Sequence, residues 1–390
     1  MKQDTVLVTA GRAPEANHGV VNPPVYHAST ILFPTVAALE EAQRNRYEGT
    51  YYGRLGTPTT FALEQAVAAA EGGFRSIAVA SGKAAVVAAL TAFVEAGDHI
   101  LMVDCAYGPT RAICDHMLAR FGVETTYYDP ALGAAIADLI RPNTRLVFTE
   151  SPGSQTFEVQ DIPAIAAAAH DSGCVVIMDN TWASPLYFKP FTHGVDVSVQ
   201  AGTKYIVGHS DAMLGLITAT QPAYRRLRAA AAELGACPGP DDCYLAQRGL
   251  RTLGVRLDRH MRTGLHLARW LADRAEVARV LHPGLPEDPG HALWSRDFTG
   301  ASGLFGVVLE PVSKAAVAAM LDGLALFKMG YSWGGYESLI VPTNPAAIRT
   351  ATQWRAPGPS LRIHAGLEDP DDLIADLEQG FARLAAAQSA

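Results

Sequence analysis

Between residues 76 and 200 the chain alternates short apolar runs with stretches of helical periodicity, and this rhythm limits the fold more than any other feature. Residues 76–80, 99–104, 124–128, 145–150, 175–179 and 195–200 read as strands. Residues 84–95, 109–121, 132–140 and 162–171 read as the helices between them. Strands that are apolar throughout, rather than alternating, are buried on both faces, as in a parallel sheet covered by helices on each side. The pattern predicts a doubly wound, mostly parallel α/β sheet, whose ligands bind at the carboxyl ends of its strands.

The rhythm does not hold over the whole chain. Residues 1–58 are rich in Gly, Pro, Asn and Tyr with little periodicity, and read as an arm that wraps a neighbour rather than building a core. A helix starts after Thr57-Pro58-Thr59 and stops at Gly72-Gly73. Beyond Leu216 come a helix over 222–234, a turn at 237–240 and a long helical stretch to about residue 274. Strand 304–309, helix 314–324, strand 361–364 and helix 371–386 complete a smaller α+β domain. A chain of 390 residues exceeds what one core usually serves. The expected division is an arm over 1–58, an α/β domain over 59–245 and a C-terminal α+β domain over 246–390.

A net charge of −8 disfavours nucleic acid or an anionic membrane surface as the main partner. Five cysteines, an odd number without CxxC spacing, argue against a disulfide framework or a structural zinc site. Isolated thiols fit a reducing compartment. Residues 1–12 lack the apolar run of a secretory signal, and no stretch is apolar over a bilayer's width. A cytoplasmic protein is expected. Gly82-Lys83 superficially resembles a phosphate-binding loop, but Ile77 and Ala84 stand where that motif needs Gly and Ser or Thr. No GxGxxG follows a strand, and His209 and His260 lack ligand spacing, so no metal is expected.

Five groups remain that together suit pyridoxal 5′-phosphate (PLP). That cofactor needs a lysine for a Schiff base, a carboxylate for its ring nitrogen, a stacking group, an anion cradle and a cation for the substrate. Asp179 ends a strand, where this fold places functional groups, although a turn or helix-cap Asp is the plainer reading. Lys204 follows the strand ending at Gln200 in apolar, Gly-rich surroundings that favour a neutral amine; a surface lysine is its alternative. Ser81-Gly82-Lys83 joins a strand to a helix whose first amides suit an anion. Lys83 is the rival Schiff-base lysine, ranked lower because a helix-start residue presents its amide. Tyr107 follows a strand and is able to stack on a ring, or is an ordinary half-buried aromatic. Arg362, a charge inside an apolar strand, needs an anion, either a substrate carboxylate or a structural acid.

Tyr52-Gly53-Arg54, Ser81-Gly82, Tyr107, Asp179-Asn180-Thr181, Thr203-Lys204-Tyr205 and Arg362 together resemble the Cys/Met-metabolism PLP enzymes, the trans-sulfuration family, over essentially the whole chain. The resemblance implies the aspartate-aminotransferase type of PLP-transferase fold. It implies that Lys204 carries the cofactor, Asp179 holds the ring nitrogen with Thr181 beside it, and Tyr107 stacks. The Gly82 and Lys83 amides and Thr203 would hold the phosphate, and Tyr52 and Arg54 would reach the phosphate of a neighbouring subunit. A homo-oligomer follows, a tetramer of two dimers with shared active sites. Arg362, Ser332, Trp333, Tyr331 and Ser154 would meet the substrate, a thioether amino acid. The run 329–338 around Trp333 and the run 150–154 are similar to the bacterial cystathionine β-lyase branch, which makes homocysteine for methionine biosynthesis. Other family lyases (methionine or cystathionine γ-lyase, cysteine desulfhydrase) and a non-catalytic PLP-binding regulator stay as alternatives. Two departures stand out: Ala201 replaces a serine common in relatives, and Lys83 stands where an uncharged residue is common.

Overall fold

The computed structural model describes residues 1–388. Its larger sheet has seven strands: β1 (Arg75–Val79), β2 (His99–Val103), β3 (Glu124–Tyr128), β4 (Thr144–Glu150), β5 (Val175–Asp179), β6 (Val197–Gln200) and β7 (Gly215–Ala219). They lie in the order β1-β7-β6-β5-β4-β2-β3. Strands β2 to β6 are mutually parallel, and β7 runs antiparallel to both β1 and β6. Strands β1, β2, β4, β5 and β6 therefore end along one edge of the sheet. Every residue of β2, β6 and β7 is buried. Because successive side chains point to opposite faces, both faces of these strands are covered. Helices Pro58–Glu71, Gly82–Thr91 and Ile162–Asp171 supply much of that cover. The α/β class read from the alternating pattern is the class observed.

A second, antiparallel sheet holds β8 (Val277–Leu281), β9 (Leu304–Leu309), β10 (Leu339–Thr343) and β11 (Ser360–His364), in the order β10-β11-β9-β8. Helices Lys314–Asp322 and Pro370–Gln388 pack on each other beside it and share its own apolar core, which includes Phe305, Phe327, Ile340 and Phe381.

Several elements differ from expectation. The region expected to be a regular helix over 109–121 is α-helical only over Gly108–Ala112 and widens into a π-helical segment, Ile113–Leu118. Residues 133–139 form tight 3₁₀ turns rather than an α-helix. The arm is not wholly irregular: Gln3–Thr9 and Val36–Arg44 are helical, and Leu7 is buried. The long helical stretch breaks at Thr252 into Pro240–Arg251 and Leu253–Ala272.

One buried network ties the two sheets together beside the site. Asp104, just past β2, is fully buried and forms an ion pair of 2.9 Å with Arg111. Its two oxygens also accept the amides and hydroxyls of Thr350 and Thr352, at 2.7–3.2 Å, from the loop between β10 and β11. Burial opposes ionisation, but these donors hold the Asp104 carboxyl down at about 2. Asp104→Ala strands the buried Arg111 guanidinium, which costs about 3–5 kcal/mol. We expect a clearly lowered urea midpoint, and an unchanged midpoint would contradict the assignment.

Candidate active site

The carboxyl edge of the larger sheet meets the middle of β11, so that Lys204 lies near both Asp179 and Arg362. Asp179, the last residue of β5, is fixed by Thr181, whose amide and hydroxyl donate to Oδ1 at 3.0 and 2.5 Å. The same hydroxyl accepts the Ala201 amide at 2.9 Å, which joins the end of β5 to the segment carrying Lys204. Behind them the buried Glu71 accepts from Ser198 and Gln200 at 2.9 and 2.6 Å, and so braces β6 just before that segment. Burial pushes the Asp179 carboxyl up, while the Thr181 bonds and the Lys204 charge pull it back.

Lys204 lies four residues beyond β6, and its Nζ donates to Ser332 Oγ at 2.7 Å. The ammonium sits 5.2 Å from the Trp333 ring centroid. Burial, reinforced by the nearby Arg362 charge, lowers the Lys204 amine to about 8, against the pull of Asp179. Among the described residues no ion pair within 4.0 Å joins Lys204 to Asp179. Labelling of the cofactor-free protein with an amine-directed acylating reagent checks this. The rate at Lys204 should rise with pH to a midpoint near about 8, whereas surface lysines keep rising towards about 10.4.

Arg362, in the middle of β11, enters from the second sheet. Its Nη2 donates to the Ser332 carbonyl at 3.2 Å, and no carboxylate of the described residues lies within 4.0 Å of it. A structural salt bridge, the competing explanation for this arginine, is therefore not formed among the described residues. Burial lowers its pKa, which the nearby Tyr107 and Tyr331 partly offset. Ser332 thus holds both cations, Lys204 through its hydroxyl and Arg362 through its carbonyl. It does so at φ +89°, a conformation rare for a residue with a side chain and worth about 1–3 kcal/mol of strain. Such strain persists only where neighbours impose it. Gly334 packs against the Lys204 backbone so closely that a Cβ there would lie 2.9 Å from the Lys204 carbonyl carbon. The buried His364 Nε2 accepts the Gly334 amide at 3.1 Å.

Tyr107 follows β2 with its side chain about half exposed, and its amide donates to Glu150 Oε2 at 2.7 Å. Ser81 Oγ accepts the Ala84 amide at 3.1 Å, which caps helix Gly82–Thr91 and leaves the Gly82 and Lys83 amides without intrahelical acceptors. A Cβ on Gly82 would meet the Ala201 Cβ at 2.6 Å, so the helix start abuts the Lys204 segment. The Lys83 side chain itself is exposed. Thr203 has its hydroxyl engaged with Leu214, donating to the carbonyl at 3.1 Å and accepting the amide at 2.9 Å. Ser154 anchors the loop after β4 through its amide, which donates to the Cys105 carbonyl at 2.9 Å. Tyr331 is exposed beside Arg362. Tyr52 and Arg54 stand apart: Tyr52 is exposed, and Arg54 donates to the Ala232 carbonyl at 2.6 Å.

Glu150 was missing from the expected site residues. It ends β4 and pairs with Asp179 across the β4–β5 ladder. The strand-end argument that selects Asp179 selects Glu150 equally, so the signal was present.

The residues fit PLP. A half-buried lysine and a half-buried carboxylate lie near each other without an ion pair, a helix start offers free amides beside them, and a guanidinium with no carboxylate partner among the described residues lies on the far side. The comparisons agree. Residues 4–382 match the family model described as Cys/Met metabolism PLP-dependent enzyme. The chain belongs to that family. Its PLP-dependent enzymes include cystathionine beta-lyase MetC of Escherichia coli (strain K12), 47% identical over 98% of this chain and 99% of the relative. The cystathionine beta-lyase of Salmonella typhimurium is 48% identical over 98% of each chain. A solved structure, that of metB from Corynebacterium glutamicum, superposes with a TM-score of 0.90 at 32% identity over 98% of each chain. Among the described residues no helix is long and apolar enough to cross a membrane, and no group of metal-ligating side chains is found.

Proposed function

We infer that the protein is a carbon–sulfur β-lyase that cleaves L-cystathionine to homocysteine, pyruvate and ammonia, and also acts on other cysteine S-conjugates. The observation that carries this reading is the pairing of two cations on one residue: Ser332 holds a half-buried amine of lowered pKa and an arginine with no acidic partner among the described residues. An α-amino acid has the matching carboxylate and Cα proton. The names of relatives 47–48% identical over nearly the whole chain point to cystathionine among such substrates.

Lys204 would carry PLP, with Asp179 at the ring nitrogen and Thr181 fixing that carboxylate. Tyr107 would cover the ring, and the Gly82 and Lys83 amides with Thr203 would hold the phosphate. Bound there, the cofactor supplies an electron sink conjugated to the substrate Cα, so that a Cα proton and then a β-thiolate are able to leave. Arg362 binds the α-carboxylate as a fork, oriented by the Ser332 carbonyl and flanked by Trp333 and Tyr331. The Lys204 amine, half neutral near pH 8, takes the Cα proton, and Ser332 Oγ fixes its direction. The same Nζ–H, or the Tyr107 hydroxyl, then protonates the departing thiolate. Burial raises the Tyr107 hydroxyl, despite the pull of Arg362, so it remains a proton donor at neutral pH. Ser154, on the loop following Glu150, would meet the substrate.

The same reading keeps an arm over 1–58, an α/β domain over 59–245 and a C-terminal domain over 246–390. The arm exposes Val20, Val21, Val25, Tyr26, Leu32, Val36 and Leu39. Apolar side chains in that number suit burial against a second copy. Tyr52 and Arg54 would there reach the neighbouring site, in a tetramer of two dimers in the cytoplasm. The PLP-loaded protein should release one thiol and one pyruvate per L-cystathionine consumed. Absence of thiol release would overturn the reading.

A further inference from the structure

The scheme above gives Glu150 no part, although its carboxyl lies among the reacting groups. It faces Asp179 from β5, and Tyr107 and Cys105 from the segment after β2. The nearby cations act on its neighbours, Lys204 on Asp179 and Arg362 on Tyr107. Among the described residues no Lys, Arg or His lies within 4.0 Å of the Glu150 carboxyl. Two adjacent carboxyls cannot both ionise cheaply, and the better-bonded one takes the charge. Asp179 accepts two hydrogen bonds from Thr181, whereas Glu150 accepts one, from the Tyr107 amide.

We propose that Glu150 is the positioning residue for Tyr107 and works as the uncharged acid. Its carbonyl oxygen accepts the Tyr107 amide and so sets the ring over the strand ends. Its neutrality leaves Asp179 as the ionised carboxylate of the pair. Burial, the Asp179 charge and the single Tyr107 bond act in that order on the Glu150 carboxyl, and the first two raise it well above the usual carboxylate range. The proposal rests on the roles given above to Tyr107 and Asp179.

Glu150→Gln keeps the carbonyl acceptor and cannot ionise, whereas Glu150→Ala loses both. Two measurements follow. With PLP-loaded protein and L-cystathionine, Glu150→Gln should keep kcat/KM within about 3-fold, and Glu150→Ala should lose about 10-fold or more, by analogy with lost positioning hydrogen bonds. In the cofactor-free protein, the unfolded Glu150 ionises above about pH 4.3 while the folded one ionises only at higher pH, so the wild type loses stability as pH rises through that interval and the amide variant does not. The Tm of Glu150→Gln should therefore exceed that of the wild type by on the order of 2 °C at about pH 8, with the gap shrinking towards about pH 5. A Tm difference independent of pH, or a Glu150→Gln variant as impaired as Glu150→Ala, overturns the proposal. The Tm comparison decides even where Glu150→Ala does not fold. A wild type inactive on L-cystathionine would instead refute the lyase reading and leave the pH-dependent comparison to judge Glu150.

Discussion

Lys204→Ala lowers kcat for thiol release from L-cystathionine by at least about 10³-fold, the combined loss of the covalent anchor and the proton carrier. The physical reason is specific to this amine. It is half-buried beside a second cation, so its pKa falls to about 8 and its neutral share grows steeply just above neutral pH. Ser332 Oγ holds it in one direction at 2.7 Å. The same burial predicts the effect on stability. A folded state that lowers a lysine's pKa is strained at any pH below that value, where the amine must be charged. Removing it should leave Tm unchanged or raised, as is usual where catalytic groups are held at a cost in stability. Loss of activity with retained Tm separates a catalytic lysine from a structural one. A variant keeping a tenth of wild-type activity would remove Lys204 from the chemistry.

Arg362→Leu should lower kcat/KM by about 30- to 4,000-fold, the range expected when one partner of a desolvated charge pair is truncated, about 2–5 kcal/mol. Most of the loss should appear in KM, because the carboxylate is bound in the ground state as well as the transition state. Among the described residues Arg362 donates to the Ser332 carbonyl and has no carboxylate partner, so the substitution leaves no acid unpaired. The protein should stay folded and as stable as before. A sharp fall in Tm with little change in KM would instead mark Arg362 as a structural residue.

Much of this site was legible before the fold was known, because strand ends carry function in a doubly wound sheet. Asp179 ends β5, an apolar run up to that residue, and Lys204 follows β6, where Val197 and Val199 alternate with Ser198 and Gln200. Glu150 was legible by the same rule and passed over, since an acid closing a strand also serves as a turn residue. Ser332 gave no signal of its positive φ, because a serine in a left-handed conformation is fixed by its neighbours rather than by its own propensity. The strands that escaped notice have identifiable causes. β10 contains Pro342, and β8 places Arg279 among its apolar residues; both lie at edges of the small sheet, where half-exposed strands lose the buried pattern. β7 opens on glycine, and its antiparallel run between β1 and β6 follows from tertiary pairing alone. The π-helical segment after Ala112 is invisible to a 3.6-residue period.

The identity of the products from L-cystathionine tests the central claim most directly. PLP-loaded wild-type protein, with products separated by mass spectrometry, should give homocysteine and pyruvate in equal amounts, together with ammonia. Cysteine and 2-oxobutyrate in their place would mean cleavage on the other side of the sulfur, and would contradict the account.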